Sequence, residues 1–343
     1  MRGDIAVLGA GSWGTTLALH LARQGRQVRL WEVDPPRARE IARTRLSLPF
    51  LPDYSLPQSI DVTSELGAAL DGAAGALLVV PSHVLRSVGE AIERTRARSS
   101  LQEPRVWISA TKGIEEGSGQ TPAQVICESA GIPASRIVVL AGPSLAAEVA
   151  AQLPTALLAA SENEEASRAV QRVFSSPSLR VYTSPDPLGV ELGVSLKNVI
   201  AIAAGISEGL QLGQNAMGAL LTRGLVEITR LGVALGARRE TFLGLSGIGD
   251  LVTTCTSRLS RNHRVGLGLA EGRPLAQILD QMVMVAEGVR TTRSALELAR
   301  SLGVEMPITR QVYAVLFERK DAHAALADLM GRPLKQEFWG QRS

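Results

Sequence analysis

The sequence predicts a doubly wound, mostly parallel α/β sheet in the first half of the chain and an all-α domain in the second half. Up to about residue 184, short apolar strand-like segments alternate with helical patterns. Parallel strands that helices cover on both faces are near-continuously apolar, as these segments are. The turn-forming segment SPDPLG follows at 184–189, and almost no strand-like run comes after it. We therefore predict two domains, at 1–188 and 189–343.

The first half contains segments rich in Val, Ile, Leu and Ala that are short enough to be buried strands. These predicted strands lie at 4–10, 27–33, 75–82, 105–113, 136–144, 155–161 and 179–184. The predicted helices between them lie at 12–25, which ends at Gly25, and at 83–97, 121–130, 145–151 and 163–174. This alternation is typical of the crossover connections that join parallel strands.

After residue 190 the pattern is helical throughout. The predicted helices lie at about 190–209, 215–236, 239–245, 248–256, 261–271, 274–281, 287–302, 307–318 and 321–329. The second half is therefore expected to be a helical domain.

The composition is that of an ordinary globular protein. Of its 343 residues, 45% are hydrophobic but only 3% aromatic, so the core must be built mainly from aliphatic side chains. The formal net charge is only +3, and the most basic segment, ERTRARSS at 93–100, is interpreted as a solvated helix end. We expect no nucleic-acid partner, whereas small anionic ligands are compatible with this charge.

The cysteines and the apolar segments predict a cytoplasmic protein. Cys127 and Cys255 lie far apart and form neither a metal-binding pattern nor a disulfide framework. Residues 4–10 are predicted as a strand, so no secretory leader is expected there. Charge or glycine interrupts the apolar stretches before the roughly 18–20 residues that a membrane span needs. We predict no metal site and no membrane span.

The segment GAGSWG at 9–14 follows the first strand and begins the first helix. Its spacing is that of the dinucleotide-binding turn of Rossmann-like folds. Gly9 permits the tight turn, Gly11 lets the backbone approach a pyrophosphate, and Gly14 allows the helix to pack closely on the sheet. The alternative interpretation, a turn that serves packing only, does not explain the acidic residue at the end of the second strand.

That acidic residue, Glu32, lies 18 positions after Gly14. A carboxylate at this place accepts hydrogen bonds from the adenosine ribose and repels a 2′-phosphate, which favours NAD over NADP. Arg37 and Arg39 either moderate this preference or are surface charges of a helix, and the second interpretation is favoured.

Two more strand ends carry polar residues. Lys112 closes the strand that ends in SATKG, and Gly142 and Ser144 follow the strand that ends in AGPS. Ligands of open α/β sheets bind outside the carboxyl ends of the strands. Lys112 is therefore either an anion-binding residue or an exposed loop lysine, and Ser144 is either a helix cap, a ligand donor or both.

Lys197 lies in the middle of the apolar segment ELGVSLKNVIAIAAGI. A buried lysine has a lowered pKa, which suits a general acid or base, whereas a lysine that extends from a packed helix to water is the commoner case. The polar segment at 244–266 offers Asp250 as a partner for its charge. In the same segment Arg261 and Asn262 form a plausible clamp for a phosphate.

The motifs GAGSWGT, SATKGI, AGPSLAAEVA, SLKNVIAIAAGI, GIGDLVTTC, SRN and VAEGVRT occur in this order along nearly the whole chain. Together they resemble the bacterial-type NAD(P)-dependent sn-glycerol-3-phosphate dehydrogenases. The resemblance implies reversible hydride transfer between NAD(P)H and dihydroxyacetone phosphate, a cytoplasmic homodimer, and a role in phospholipid precursor synthesis. The homodimer is implied by the resemblance alone, because the sequence itself shows no clear interface.

The resemblance also implies roles for individual residues. Lys197 would act as general acid/base at the substrate C2 oxygen, with Lys112, Asp250 and Thr254 near the chemistry. The substrate would contact Lys112, Gly142, Ser144, Lys197, Asp250, Ser260, Arg261 and Asn262. The cofactor would contact Gly9, Gly11, Ser12, Trp13, Gly14, Glu32, Lys112, Ala146, Arg261, Val285 and Glu287.

One departure from the family concerns the cofactor. Many members carry His, Asn or Arg after the second-strand tryptophan, where this chain has Glu32. Two alternatives remain open. One is a sister dehydrogenase acting on a hydroxyacyl, ketopantoate or phosphogluconate substrate, against which the segment GIGDLVTTC and the following SRN argue. The other is a dinucleotide-binding regulator without chemistry, against which Lys112, Lys197 and Asp250 argue.

Overall fold

The structure is a computed structural model that describes residues 3–98, 101–282, 284–334 and 336–337. Within these residues a single eight-stranded sheet forms the first half of the chain. Its strands are β1 (Ile5–Leu8), β2 (Val28–Trp31), β3 (Ile60–Thr63), β4 (Gly75–Leu78), β5 (Val106–Ser109), β6 (Ile137–Ala141), β7 (Thr155–Ala160) and β8 (Leu179–Ser184). They lie in the order β3-β2-β1-β4-β5-β6-β7-β8.

The predicted doubly wound, mostly parallel sheet is confirmed. Among the described strands only β6 and β7 run antiparallel to each other, and the other neighbours are parallel. The chain moves outward from β1 to β3 and then returns to the other side of β1 at β4. This reversal makes the carboxyl ends of β1 and β4 the place where such sheets bind ligands.

Helices connect the strands and cover both faces of the sheet. They are α1 (Ser12–Arg23), α2 (Pro35–Thr44), α3 (Leu66–Leu70), α4 (Ser82–Arg98), α5 (Pro122–Ala130), α6 (Ala146–Ala150) and α7 (Glu164–Phe174). Aliphatic side chains from the strands and from these helices pack into two clusters, one on each face of the sheet. The central strands β1, β4, β5 and β6 are accordingly buried on both sides, which explains their apolar sequences.

Strand β3 and helix α3 were not predicted from the sequence, and the helix expected to carry Arg37 and Arg39 was given no bounds. Strand β3 lies at the edge of the sheet, where Asp61 is exposed, so its sequence is not a continuous apolar run. Helix α2 begins with Pro35 and Pro36, which resemble a chain break although proline is favourable in the first helical turn. Conversely, the strands predicted at 75–82 and 105–113 end four residues early, because the chain leaves the sheet there to form loops at its carboxyl edge.

The second half of the described chain is helical, as predicted. Its helices are α8 (Pro187–Gly209), α9 (Gly213–Ala234), α10 (Asp250–Thr256), α11 (Arg261–Ala270), α12 (Leu275–Asp280), α13 (Glu287–Ser301), α14 (Pro307–Phe317) and α15 (Ala322–Met330). A 3₁₀ turn (Arg239–Leu243) and a π turn (Leu245–Gly249) precede α10. We propose the division into two domains at residue 188 because β8 ends, and α8 begins, next to it.

Helix α8 is the central helix of this half, and its small residues allow close packing. A Cβ atom on Gly205 would lie 2.0 Å from the carbonyl oxygen of His263 in α11, and one on Gly193 would lie 2.4 Å from that of Ser246. The absence of a side chain at these two glycines therefore lets α8 pack closely on its neighbours. Helix α8 is long and apolar enough to cross a membrane by length and composition alone, but 89% of its most apolar window is buried inside the protein. Burial in the core accounts for that composition.

Candidate active site

The turn between β1 and α1 has a backbone geometry that requires glycine at two positions. Gly9 has a φ of +118°, and a Cβ atom there would lie 2.7 Å from the carbonyl oxygen of Val79. A Cβ atom on Gly14 would lie 1.9 Å from the carbonyl oxygen of Gly9, so α1 can approach the turn only without a side chain. Gly11 is different, because a Cβ atom on it would meet nothing within 4 Å. Its outer side faces open space, which a ligand can occupy.

The N-terminus of α1 suits a phosphate group. Its N-cap residue is Gly11, which offers no side-chain oxygen to the first turn. The amide of Thr15 makes the first intrahelical bond, to the carbonyl oxygen of Gly11. The amides of Ser12, Trp13 and Gly14 are left free to bind an anion, which the helix dipole also attracts. These residues, together with the open face of the turn, fit the pyrophosphate of a dinucleotide.

Glu32 lies at the end of β2 and is 6% exposed. One carboxylate oxygen accepts a hydrogen bond from the Asp34 amide at 3.1 Å, and the other pairs with Nη1 of Arg37 at 2.6 Å. The second terminal nitrogen of Arg37 donates to the carbonyl oxygen of Ala10 at 2.7 Å. The interpretation of Arg37 as a surface charge is therefore wrong, because α2 turns it back towards the glycine turn. Arg39, on the opposite side of α2, is exposed as expected.

Lys197 does not extend to water. It is 4% exposed, and its ammonium lies 2.6 Å from Oδ1 of Asp250, which is 1% exposed. It also donates a hydrogen bond to the Thr254 hydroxyl. Burial, and to a smaller degree the charge of Lys112, lowers the pKa of Lys197 to about 8, although Asp250 opposes this change. The predicted pairing with Asp250 is thus present, and the pKa lies close to neutral pH.

Lys112 joins the same carboxylate from the other half of the chain. Its ammonium lies 3.2 Å from Oδ2 of Asp250, and 3.4 Å from the carbonyl oxygen of Gly142. The next residue, Gly113, is fixed to α8, because its amide donates to the Ser195 hydroxyl at 2.9 Å and its carbonyl oxygen accepts from that hydroxyl at 3.1 Å. Lys112 is therefore not an ordinary exposed loop lysine. Two ammonium groups share one carboxylate, which leaves this pocket with a positive charge.

Gly142 and Ser144 form the adjoining wall. Gly142 has a φ of +138°, and a Cβ atom on it would lie 3.3 Å from the carbonyl oxygen of Ala156. The Ser144 hydroxyl donates to the carbonyl oxygen of Gly142 at 3.0 Å. Helix α6 begins only at Ala146, with Leu145 at its N-cap and no side-chain cap. The interpretation of Ser144 as a helix cap is therefore wrong.

Helix α11 has a cation at its N-terminus. Ser260 is the N-cap, and its hydroxyl accepts from the His263 amide at 3.3 Å. Arg261 follows and is exposed. Partial desolvation lowers the pKa of Arg261, and the nearby carboxylate of Glu287 raises it. The guanidinium nevertheless remains charged, because water reaches it. This end of α11 combines free amides with a guanidinium, which is a suitable site for a phosphate.

Asn262 is held in place at both ends of its amide. Its Oδ1 accepts from the Gly288 amide at 2.9 Å, and its Nδ2 donates to Oδ1 of Asn198 at 2.9 Å. Asn198 is the neighbour of Lys197 on α8. Because only one N–H of Asn262 remains unused, it can donate a single hydrogen bond to a ligand.

Glu287, at the start of α13, reaches across to the sheet. Its carboxylate accepts from the amide and the hydroxyl of Ser82 at 3.1 and 2.6 Å, just after β4. Val285 is 37% exposed, and Ala146, which begins α6, is partly buried. Glu287 therefore lies at the carboxyl edge of the sheet, whereas Lys197, Lys112 and Thr254 each contact Asp250.

Sequence reasoning missed two residues that organise the site, Ser195 and Ser82. Ser195 is two positions from Lys197 in a helix that is otherwise apolar, and this was the available signal. Ser82 begins α4 and was included in a predicted strand, so its role as a partner of Glu287 had no sequence signal.

Comparison with known families identifies the chain. The family model described as the NAD-dependent glycerol-3-phosphate dehydrogenase N-terminus matches residues 4–167, and the model of the C-terminus of the same family matches residues 186–327. The chain belongs to this dehydrogenase family. The resemblance found in the sequence is confirmed, and with it an NAD(P)-dependent oxidoreductase on a dinucleotide-binding fold.

Individual members of the glycerol-3-phosphate dehydrogenase family match over nearly their full length. Glycerol-3-phosphate dehydrogenase [NAD(P)+] of Syntrophotalea carbinolica is 50% identical, over 98% of this chain and 99% of the relative. The protein of the same name from Geobacter sulfurreducens is 50% identical, over 99% and 100%. The crystal structure of glycerol-3-phosphate dehydrogenase from Coxiella burnetii superposes with a TM-score of 0.90 at 40% identity, covering 96% of this chain and 99% of that one. A ketopantoate reductase from Ralstonia solanacearum, at 16% identity and a TM-score of 0.58, shares the fold alone.

Proposed function

We propose that this dehydrogenase transfers hydride reversibly between NAD(P)H and dihydroxyacetone phosphate, giving sn-glycerol 3-phosphate, and that Lys197 is its general acid/base. The observation that carries the proposal is the contact between Lys197, Asp250, Thr254 and Lys112, on the ligand-binding edge of the sheet. The names of the relatives support the substrate. The residue assignments rest on the geometry and on the resemblance.

An unused N–H donor on Lys197 favours proton transfer to the substrate. A lysine ammonium has three N–H donors, and two of them are directed at Asp250 and the Thr254 hydroxyl. The Thr254 hydroxyl in turn donates to Asp250 at 3.3 Å, so its lone pair faces the ammonium. The third N–H is available for the C2 oxygen of the substrate. In reduction that proton moves to the oxygen, and solvent replaces it; in oxidation the neutral amine accepts it back.

The charges around Lys197 suit an anionic substrate. Lys112 and Lys197 together outweigh the single carboxylate of Asp250. Lys112 can donate to the developing negative charge at C2, as an oxyanion donor does. We assign the phosphate of the substrate to the N-terminus of α11, where Arg261 and the free N–H of Asn262 lie, together with Ser260. Binding energy from this remote group would orient C2 for reaction.

The cofactor is assigned to the glycine turn. The open face of Gly11 and the free amides of Ser12, Trp13 and Gly14 would hold the pyrophosphate, and Glu32 the adenosine ribose. When bound, the nicotinamide supplies or accepts the hydride. A carboxylate at Glu32 favours NADH. The nicotinamide half of the cofactor would be lined by Lys112, Ala146, Val285 and Glu287. We further propose that the protein is a cytoplasmic homodimer and that its product is used in phospholipid synthesis.

The test measures dihydroxyacetone phosphate-dependent oxidation of NADH and NADPH by the wild type and by Lys197→Met. Methionine keeps the length of the stem in the buried site but cannot transfer a proton. We expect kcat to fall by about 10²–10⁴-fold while NADH still binds. Lys320→Met is the matched control, since Lys320 contacts Gln311 and Asp328, away from the site. A wild type that turns over neither cofactor would refute the substrate, and an active Lys197→Met would refute the role of the lysine.

A further inference from the structure

Arg37 connects three parts of the adenosine end of the cofactor site. Its two terminal nitrogens contact the Glu32 carboxylate at 2.6 Å and the carbonyl oxygen of Ala10, inside the glycine turn, at 2.7 Å. Its guanidinium carbon lies 4.5 Å from the centre of the Phe50 ring. Its Nε is buried without a hydrogen-bond partner in the described residues. The guanidinium is therefore fixed beside the carboxylate, and these two contacts use two of its five N–H donors.

The position of this guanidinium bears on the cofactor. Glu32 by itself would repel the 2′-phosphate of NADPH, because like charges at short distance in a partly buried site interact strongly. Arg37 places a full positive charge in contact with that carboxylate and largely cancels its charge as seen by a ligand. A guanidinium also matches the geometry of phosphate and can make two parallel hydrogen bonds to it.

We infer that Arg37 is a specificity-determining residue, which lets the adenosine pocket accept the 2′-phosphate of NADPH as well as the 2′-hydroxyl of NADH. This inference rests on the proposed assignment of the glycine turn and Glu32 to the cofactor. In the free enzyme Arg37 is paired with Glu32. With NADPH bound, the guanidinium faces both the carboxylate and the phosphate, whereas with NADH it only orients Glu32 for the ribose hydroxyls.

This role of Arg37 is tested with three variants, Arg37→Met, Arg37→Lys and Glu32→Gln. The matched control is Arg39→Met. Methionine retains an unbranched side chain that can pack on Phe50 but has no charge. Arg39 lies on the same helix and is exposed. The measured quantities are kcat/KM with dihydroxyacetone phosphate for NADH and NADPH, and the dissociation constants of both dinucleotides by calorimetry.

We expect Arg37→Met to lower the NADPH/NADH ratio of kcat/KM and of affinity by about tenfold or more, the effect of losing one charge-assisted hydrogen bond. Arg37→Lys keeps the charge without the fork and should lie between Arg37→Met and the wild type. Glu32→Gln should raise the ratio, and Arg39→Met should leave it unchanged. Equal losses for both cofactors would overturn the inference, since they would show that Arg37 only supports the fold.

The calorimetric arm separates this inference from the proposed function. If the wild type binds both dinucleotides but reduces no dihydroxyacetone phosphate, the proposed reaction fails while the affinity ratio still decides the role of Arg37. If Arg37→Met does not fold, Arg37→Lys and Glu32→Gln decide it. An unchanged ratio in both of these variants would overturn the inference.

Discussion

Replacing Asp250 by asparagine should shift the pH dependence of the reaction. The pKa of Lys197 is about 8 in the wild type because burial lowers it and Asp250 partly restores it. Asn keeps the shape of the side chain but removes the charge that lies 2.6 Å from the ammonium. An opposite charge at such a distance raises the pKa of a lysine by about 1–3. The pKa of Lys197 should therefore fall further in Asp250→Asn.

The direction of the effect on rate follows from the protonation state that each reaction needs. Reduction requires protonated Lys197, so its rate should fall as the pH rises through the pKa of Lys197, whereas oxidation requires the neutral amine and should rise. With the pKa at about 8, the protonated fraction at pH 7 is ~0.9. A decrease of about two in the pKa lowers this fraction to ~0.1, so reduction at pH 7 should slow by roughly tenfold from protonation alone.

The assay is the pH profile of kcat/KM for reduction and for oxidation, in the wild type and in Asp250→Asn. The profile runs from about pH 5 to about pH 10 in steps of about half a pH unit. Thr253→Ala is the matched control, because Thr253 lies on the same helix and its hydroxyl donates to the carbonyl oxygen of Gly249 within that helical turn. A reductive profile whose apparent pKa stays near 8 in Asp250→Asn, or moves upward, would refute the reasoning. It would mean that Asp250 does not set the charge state of the group that transfers the proton.

Substitutions at three further positions test the packing of the helical half. Gly205→Ala should lower the free energy of unfolding by more than about 1–3 kcal/mol, because its Cβ would lie 2.0 Å from the carbonyl oxygen of His263. In contrast, Gly218→Ala should stabilise α9 by about 0.5–1 kcal/mol, because a Cβ there meets nothing within 4 Å. Urea unfolding measures both changes. A Gly205→Ala protein as stable as the wild type would contradict the close contact. Ser195→Ala leaves the amide and the carbonyl group of Gly113 without their partner and should cost about 1–3 kcal/mol of stability together with a lower kcat, which Ser195→Thr should partly restore. Loss of stability with unchanged kcat would show that this bridge does not position the neighbouring lysine.

Much of the fold follows from local sequence patterns. The apolar strands from β4 to β8 and all the major helices after residue 187 were predicted because each has its own periodicity and stop signals. Elements that depend on their surroundings were missed. Strand β3 becomes a strand by pairing with β2, and the loops after β4 and β5 leave the sheet although their sequences continue the strand pattern.

The sequence by itself determined which residue types the site contains and in which order they occur. Local patterns in the sequence are enough to single out the glycine turn, Glu32, Lys112, Lys197, Asp250 and the segment from Ser260 to Asn262. Only the tertiary structure decided how these groups pair, because the pairs join residues from distant parts of the chain. Lys112 and Lys197 share one carboxylate, and Arg37, which looked like a surface charge, turns inward to Glu32. Charge and hydrogen-bond partners depend on distance in space, and a one-dimensional pattern does not contain that distance.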